Sequence, residues 1–173
     1  GIISGWNGGP AAVTALDESK SGAKYQGIAL ASVDGVNFLY AANFTAQKID
    51  VYDKDWTEVD KPFKDPNIPA DYSPFNIQNI DGKLYVMYAK IGSTGDEVVG
   101  AGNGYVDIYN PNGSLVKRFA SRGALNAPWG IAQAPAEFFD QDMDMPNVPN
   151  AILGGNFGDG RINVYDQSGN FIG

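Results

Sequence analysis

The chain has 173 residues, enough for one ordinary core, and its 43% apolar content suits a folded globular protein. It contains no His and no Cys, which excludes Ser-His-Asp and Cys-His catalysis, His-ligated zinc, thiolate metal sites, disulfides and imidazole switching. The net charge is −8 and the basic residues form no stripe, so nucleic acid and anionic lipid are not expected partners; no apolar run approaches the ~18 residues needed to insert into a membrane.

In chain order, the first segment is Ile3-Ser4-Gly5-Trp6-Asn7. The start at Gly1, with no initiator Met and no leader, reads as a mature or trimmed product. The segment is the first of four copies of one strand. Ile3, Ile49, Val106 and Ile162 are equivalent, and so are Trp6, Tyr52, Tyr109 and Tyr165. Steps of 46, 57 and 56 residues separate them, the spacing of four-stranded propeller blades. The fullest echo matches Leu39–Asp53 with Ile152–Asp166, with Asn43-Phe44 against Asn156-Phe157.

Three other strand types accompany this one. Gln26-Gly27-Ile28-Ala29, Phe75-Asn76-Ile77-Gln78 and Trp129-Gly130-Ile131-Ala132 share a pattern, two of them preceded by Pro74 and Pro128. A Pro there fixes entry into a strand and donates no ladder bond. Residues 37–42, 83–89 and 151–155 form the next type. Residues 13–16, 57–59, 115–119 and 170–172 form a weaker last type.

Asp81-Gly82 and Asp159-Gly160 have hairpin-turn chemistry, and Asp53, Asn110 and Asp166 are placed to accept backbone N–H bonds at turns. The alternation in Ile49-Asp50-Val51-Tyr52 sends Ile49 and Val51 to one face, Asp50 and Tyr52 to the other. Tyr52, Tyr109, Tyr165 and Trp6 are expected to pack between blades.

The expected fold is therefore all-β, a β-propeller of NHL-like four-stranded blades. About three blades are present, and the ring is incomplete. Residues 1–20 end one blade, 21–62 and 71–120 form two more, and 125–173 form an incomplete one. An unclosed stack exposes apolar faces and edges, so the expected partner is a second copy or the remainder of a longer propeller. Two insertions, 91–104 and 135–150, break the repeat; loops on a rigid scaffold commonly carry function.

Two resemblances sit on these residues. Pro128-Trp129-Gly130-Ile131-Ala132 and Arg161-Ile162-Asn163-Val164-Tyr165-Asp166 resemble NHL-type repeats. Ile3–Asn7, Leu39–Phe44, Gly102–Asp107, Leu125–Gly130 and Gly155–Asn163 resemble a family of uncharacterised secreted bacterial propeller proteins, some with a PEP-CTERM sorting tail. This chain matches about half of such a protein. The resemblance implies a secreted, extracellular location and carries over no catalytic residue.

No catalytic constellation is visible. The first functional expectation is a non-catalytic interaction or structural module with a protein or carbohydrate ligand, able to self-assemble. The alternative is a Ca²⁺-dependent hydrolase of the sugar-lactonase-like propeller type. Calcium takes about six to eight oxygen ligands. Asn43, Asn76, Asn156 and Asp159 are the candidate metal residues, with Gln78 and Asn79 beside them. Against this, the amides serve equally to satisfy strand-end backbone groups, and Asp159-Gly160 serves as a turn. Asp140, Asp142 and Asp144 start like a calcium loop, but Met145 and Ala151 stand where an EF-hand needs Gly and Glu. Trp129 with Phe138-Phe139 is a candidate carbohydrate or protein contact, with core anchoring as the simpler role.

Overall fold

The computed structural model describes residues 1–139 and 148–173. They form an all-β structure of thirteen strands in four separate antiparallel sheets, none of them closed. The first sheet pairs β1 (Ile2–Gly5) with β2 (Val13–Asp17). The second runs β3 (Tyr25–Val33), β4 (Val36–Asn43), β5 (Lys48–Tyr52). The third runs β6 (Tyr72–Ile80), β7 (Lys83–Ile91), β9 (Tyr105–Tyr109), β10 (Leu115–Ser121), with β8 (Glu97–Val98) pairing β7. The fourth runs β11 (Pro128–Gln133), β12 (Ile152–Asn156), β13 (Ile162–Tyr165). In the second and fourth sheets a single bridge, Tyr52 with Glu58 and Tyr165 with Phe171, marks a vestigial fourth strand.

The sheets pack face on face, and this explains the strand compositions. Leu84 to Ala89 of β7 are all buried because the strand is covered on both sides. Leu84, Val86 and Tyr88 share a core with Tyr40, Ala42, Ile49 and Val51 of the second sheet. Tyr85 and Met87 share another with Ile152 and Tyr165 of the fourth. Ile3 of the first sheet packs with Ala41 and Tyr52. Period-2 alternation in each strand thus feeds two cores. Tyr52, Tyr109 and Tyr165 are buried between sheets as expected.

Trp6 departs from that expectation. It is 69% exposed, and its indole N–H donates to the Gly9 carbonyl at 2.7 Å. The equivalent tyrosines face the preceding sheet, and among the described residues the first sheet has none before it. Ile2 and Val13 are exposed there too, as is Ile162 on the fourth sheet.

The turns follow their chemistry. Asp81 and Gly82 both take positive φ, 49° and 74°, and so do Asp34 and Gly35. Asp53 Oδ1 accepts the N–H of Asp55 and Thr57, both at 2.9 Å; Asp166 Oδ1 accepts those of Ser168 and Asn170 at 2.8 and 2.9 Å. Asn110 differs: its Oδ1 accepts the Lys83 ammonium at 2.6 Å, and Asn112 caps the Ser114 N–H instead, at 3.0 Å.

Candidate functional site

Each first strand, β3, β6 and β11, carries an irregularity in its pairing, after the first pair in β3 and β11 and after the third in β6. Tyr25 pairs with Asn43 and Gly27 with Ala42, leaving Gln26 without an opposite number. Phe75 is skipped in the same way between Pro74 and Asn76, and Trp129 between Pro128 and Gly130. A bulge bends its strand and re-aims one side chain. The two prolines suit these positions because a bulge removes the ladder bond that Pro cannot donate.

The three bulge residues are equivalent in the repeat, and the packing brings them to one mouth. Gln26, Phe75 and Trp129 line a shallow cavity of 270 Å³ together with Phe157 and Glu97. Phe75 packs edge-on against Phe44 and Phe157, with ring centroids 5.6 and 5.8 Å apart. Trp129 is 45% exposed and Phe157 60%. Hydrogen bonds between sheets hold the mouth in shape. The Trp129 indole N–H donates to the Gln26 carbonyl at 3.0 Å, and Asn76 Nδ2 donates to the Trp129 carbonyl at 2.7 Å. A Cβ on Gly27 would lie 1.7 Å from Asn76 Oδ1, so glycine is what lets the second and third sheets approach here.

Glu97 arrives from the 91–104 insertion. Its two-residue strand pairs with the end of β7, Ile91 opposite Glu97, which brings Glu97 to the cavity wall. Beside it, Asp96 forms an ion pair with Lys24 at 2.5 Å. That contact is mainly what holds the Asp96 carboxyl below its ordinary pKa.

The four residues expected to bind metal each hydrogen-bond to protein groups. Asn43 Oδ1 accepts the N–H of Lys24 and Ala46 at 3.3 and 3.2 Å, and its Nδ2 donates to Asp50 at 2.8 Å. Asn76 is the tie to Trp129 already described. Asn156 Oδ1 accepts the Asn126 N–H at 3.0 Å, and its Nδ2 donates to the Ala124 carbonyl at 2.8 Å. Asp159 accepts the Arg161 N–H and the Asn126 amide, both at 3.1 Å; the Arg161 N–H is the main reason its carboxyl sits below the ordinary range. Asn156 and Asp159 are brought together through Asn126, whereas Asn43 turns to Asp50 and Asn76 to Trp129. Gln78 lies along a separate groove with Asn79, whose amide donates to the Leu30 carbonyl at 2.8 Å. No group of three or more acidic residues suited to a metal occurs among the described residues. Asp140, Asp142 and Asp144 lie outside them.

A second polar cluster joins the third sheet to the segment that precedes it. Arg118 bridges Asp107 and Asp65, both with buried carboxylates, and its guanidinium lies 4.6 Å from the Tyr105 ring centroid. The Asp107 carboxyl is pushed up to about 6, chiefly by burial and further by Asp65, against the lowering pull of Arg118. The equivalent Asp50 is also buried, with the Lys48 ammonium 2.7 Å from Oδ1 as an ion pair without an aligned hydrogen bond. Phe139 is an anchor, packed with Ala134, Ala151 and Val164, while Phe138 stays exposed beside it.

Sequence patterns pointed to Trp129 and to the insertion, but not to Gln26, Phe75, Glu97 or Phe157 as one site. The available signal was the equivalence of Gln26, Phe75 and Trp129 in the shared strand pattern.

The chain is 41% identical over 157 residues to an uncharacterised protein of Acanthamoeba polyphaga mimivirus, a match covering 86% of this chain and 39% of that protein. A second uncharacterised mimivirus protein is 40% identical over 157 residues, covering 86% and 36%, and a third is 35% identical over 169 residues, covering 92% and 29%. The chain spans less than two-fifths of the length of the curated relatives it matches. No family model matches it. These relatives correct the resemblance to a secreted bacterial propeller family, since the similarity runs to viral proteins. Short strand-and-turn segments follow from the local chemistry of sheets and hairpins, so they recur without common origin; identity sustained over most of the chain is the stronger guide.

Proposed function

We propose that the chain is a non-catalytic binding module, that its four sheets are successive blades of an open β-propeller, and that it engages its partner at the mouth formed by Gln26, Phe75, Trp129, Phe157 and Glu97. The observation that carries this is the set of three equivalent bulges, each aiming a side chain into the same cavity. Bulges collect beside functional sites because they re-aim side chains at a cost in ladder bonding. The propeller reading draws support from the chain-order pairing within each sheet and from contact between the first strands of neighbouring sheets. The amides weighed for calcium already have protein partners, which favours binding over metal-assisted hydrolysis.

A fragment library screened by ¹H–¹⁵N correlation spectra tests the reading. Hits are expected to shift the Trp129 indole and the Gln26, Glu97 and Phe157 amides. Hits gathered elsewhere overturn the location. Calcium-dependent hydrolysis of a lactone, with a calcium-induced rise in melting temperature, overturns the non-catalytic assignment.

A further inference from the structure

We infer that the mouth takes an alkylammonium cation, the end of a lysine side chain presented by a partner protein; this rests on the binding-module reading above. The internal repeat supplies the precedent. Phe44 and Phe157 are equivalent, and their N–H groups make equivalent bonds, to the Lys24 carbonyl at 2.8 Å and to the Ala127 carbonyl at 3.0 Å. At the first copy, the Lys24 ammonium lies 5.7 Å from the Phe44 ring centroid and pairs with Asp96. An ammonium held by an aromatic face and a carboxylate is thus a structure this protein already builds.

At the second copy, Ala127 stands where the first has Lys24. Phe157 presents its ring to solvent, and Glu97, the neighbour of Asp96, lines the cavity. An aromatic residue and an acidic residue are again present together, and none of the five lining residues is basic. Glu97 forms no salt bridge among the described residues. Trp129 adds the ring type that attracts cations most strongly. The volume of 270 Å³ falls below the ~300 Å³ at which whole small-molecule pockets begin, so the site fits a side-chain end better than a free metabolite. A net charge of −8 favours a basic partner.

The test is an NMR titration of the whole chain at low salt with three probes: an N-acetyl Ala-Lys-Ala amide, its uncharged norleucine counterpart, and tetramethylammonium chloride. The lysine peptide is expected to shift the Trp129 indole and the Glu97 and Phe157 signals. The norleucine peptide is expected to leave them in place. Glu97→Gln, which alters a side chain at the cavity wall, is expected to weaken the lysine peptide about tenfold. Phe157→Ala, at an exposed ring, is expected to weaken it several-fold and leave melting nearly unchanged. Equal binding of the two peptides overturns the inference, as does an unchanged affinity in Glu97→Gln. Tetramethylammonium binding without the lysine peptide overturns the protein partner in favour of a free cation. Neutral fragments shifting the mouth while both cations fail overturn the ligand class and leave the binding module standing. Silence from every probe and fragment overturns both.

Discussion

Asn43-Phe44 and Asn156-Phe157 are the same dipeptide at the same strand end, yet one end is closed and the other open. Both asparagines are buried, and each amide oxygen accepts backbone N–H from the segment entering its sheet. The two rings part company. Phe44 is 1% exposed, packed among Phe75, Ala89 and Ala127; Phe157 is 60% exposed and keeps the edge of Phe75. The third sheet packs over Phe44, whereas no described sheet packs over Phe157 in the same way. Local sequence sets the backbone bond, and the neighbouring sheet decides whether the ring is buried or exposed.

The largest effect separates the two rings. Phe44→Ala is expected to cost about 3–5 kcal/mol of stability, whereas Phe157→Ala costs less than about 1 kcal/mol. Chemical denaturation of both variants checks this, and similar losses would break the distinction between closed and open ends. The asparagines are expected to behave alike. Asn43→Ala removes the acceptor of the part-buried Lys24 and Ala46 N–H groups and Asn156→Ala that of the buried Asn126 N–H, each at a cost of about 2 kcal/mol. A clear inequality in urea midpoints would mean that the ends differ in their backbone bonding as well.

The third sheet, covered on both faces, sharpens the contrast through pH. Asp107 ionises at about 6 when folded against an ordinary 3.8, so the folded state holds its proton more tightly. Its contribution is full below 3.8, declines by about 1.4 kcal/mol per unit as pH rises through that window, and is gone above 6. Asp107→Asn is expected to flatten that slope in stability measured from pH 4 to 7. A slope unchanged in the variant would show that Arg118 outweighs burial.

The smallest effect is at the turn after the tyrosine strand. Gly113 and Gly169 take φ of 90° and 97°, and Trp56 holds the matching place at 61°. Trp56→Gly is expected to change stability by less than about 1 kcal/mol, relief of the left-handed backbone offsetting the lost partial burial of the ring. A melting temperature several degrees lower would show that Trp56 packs more firmly than its partial exposure indicates.

Strand spacing, the two-faced alternation of Ile49 to Tyr52 and the turn chemistry of Asp53, Asp81-Gly82 and Asp166 were legible in the residues alone. Each depends on groups a few positions apart, where backbone sterics and side-chain period act directly. The mouth was not legible in the same way. Trp129 reaches Gln26 across 103 residues, and Asn76 reaches Trp129 across 53. Glu97 joins them only because its insertion pairs with the end of β7. Whether a ring such as Phe157 is covered depends on the presence of an adjoining sheet, a property of packing that no local pattern encodes.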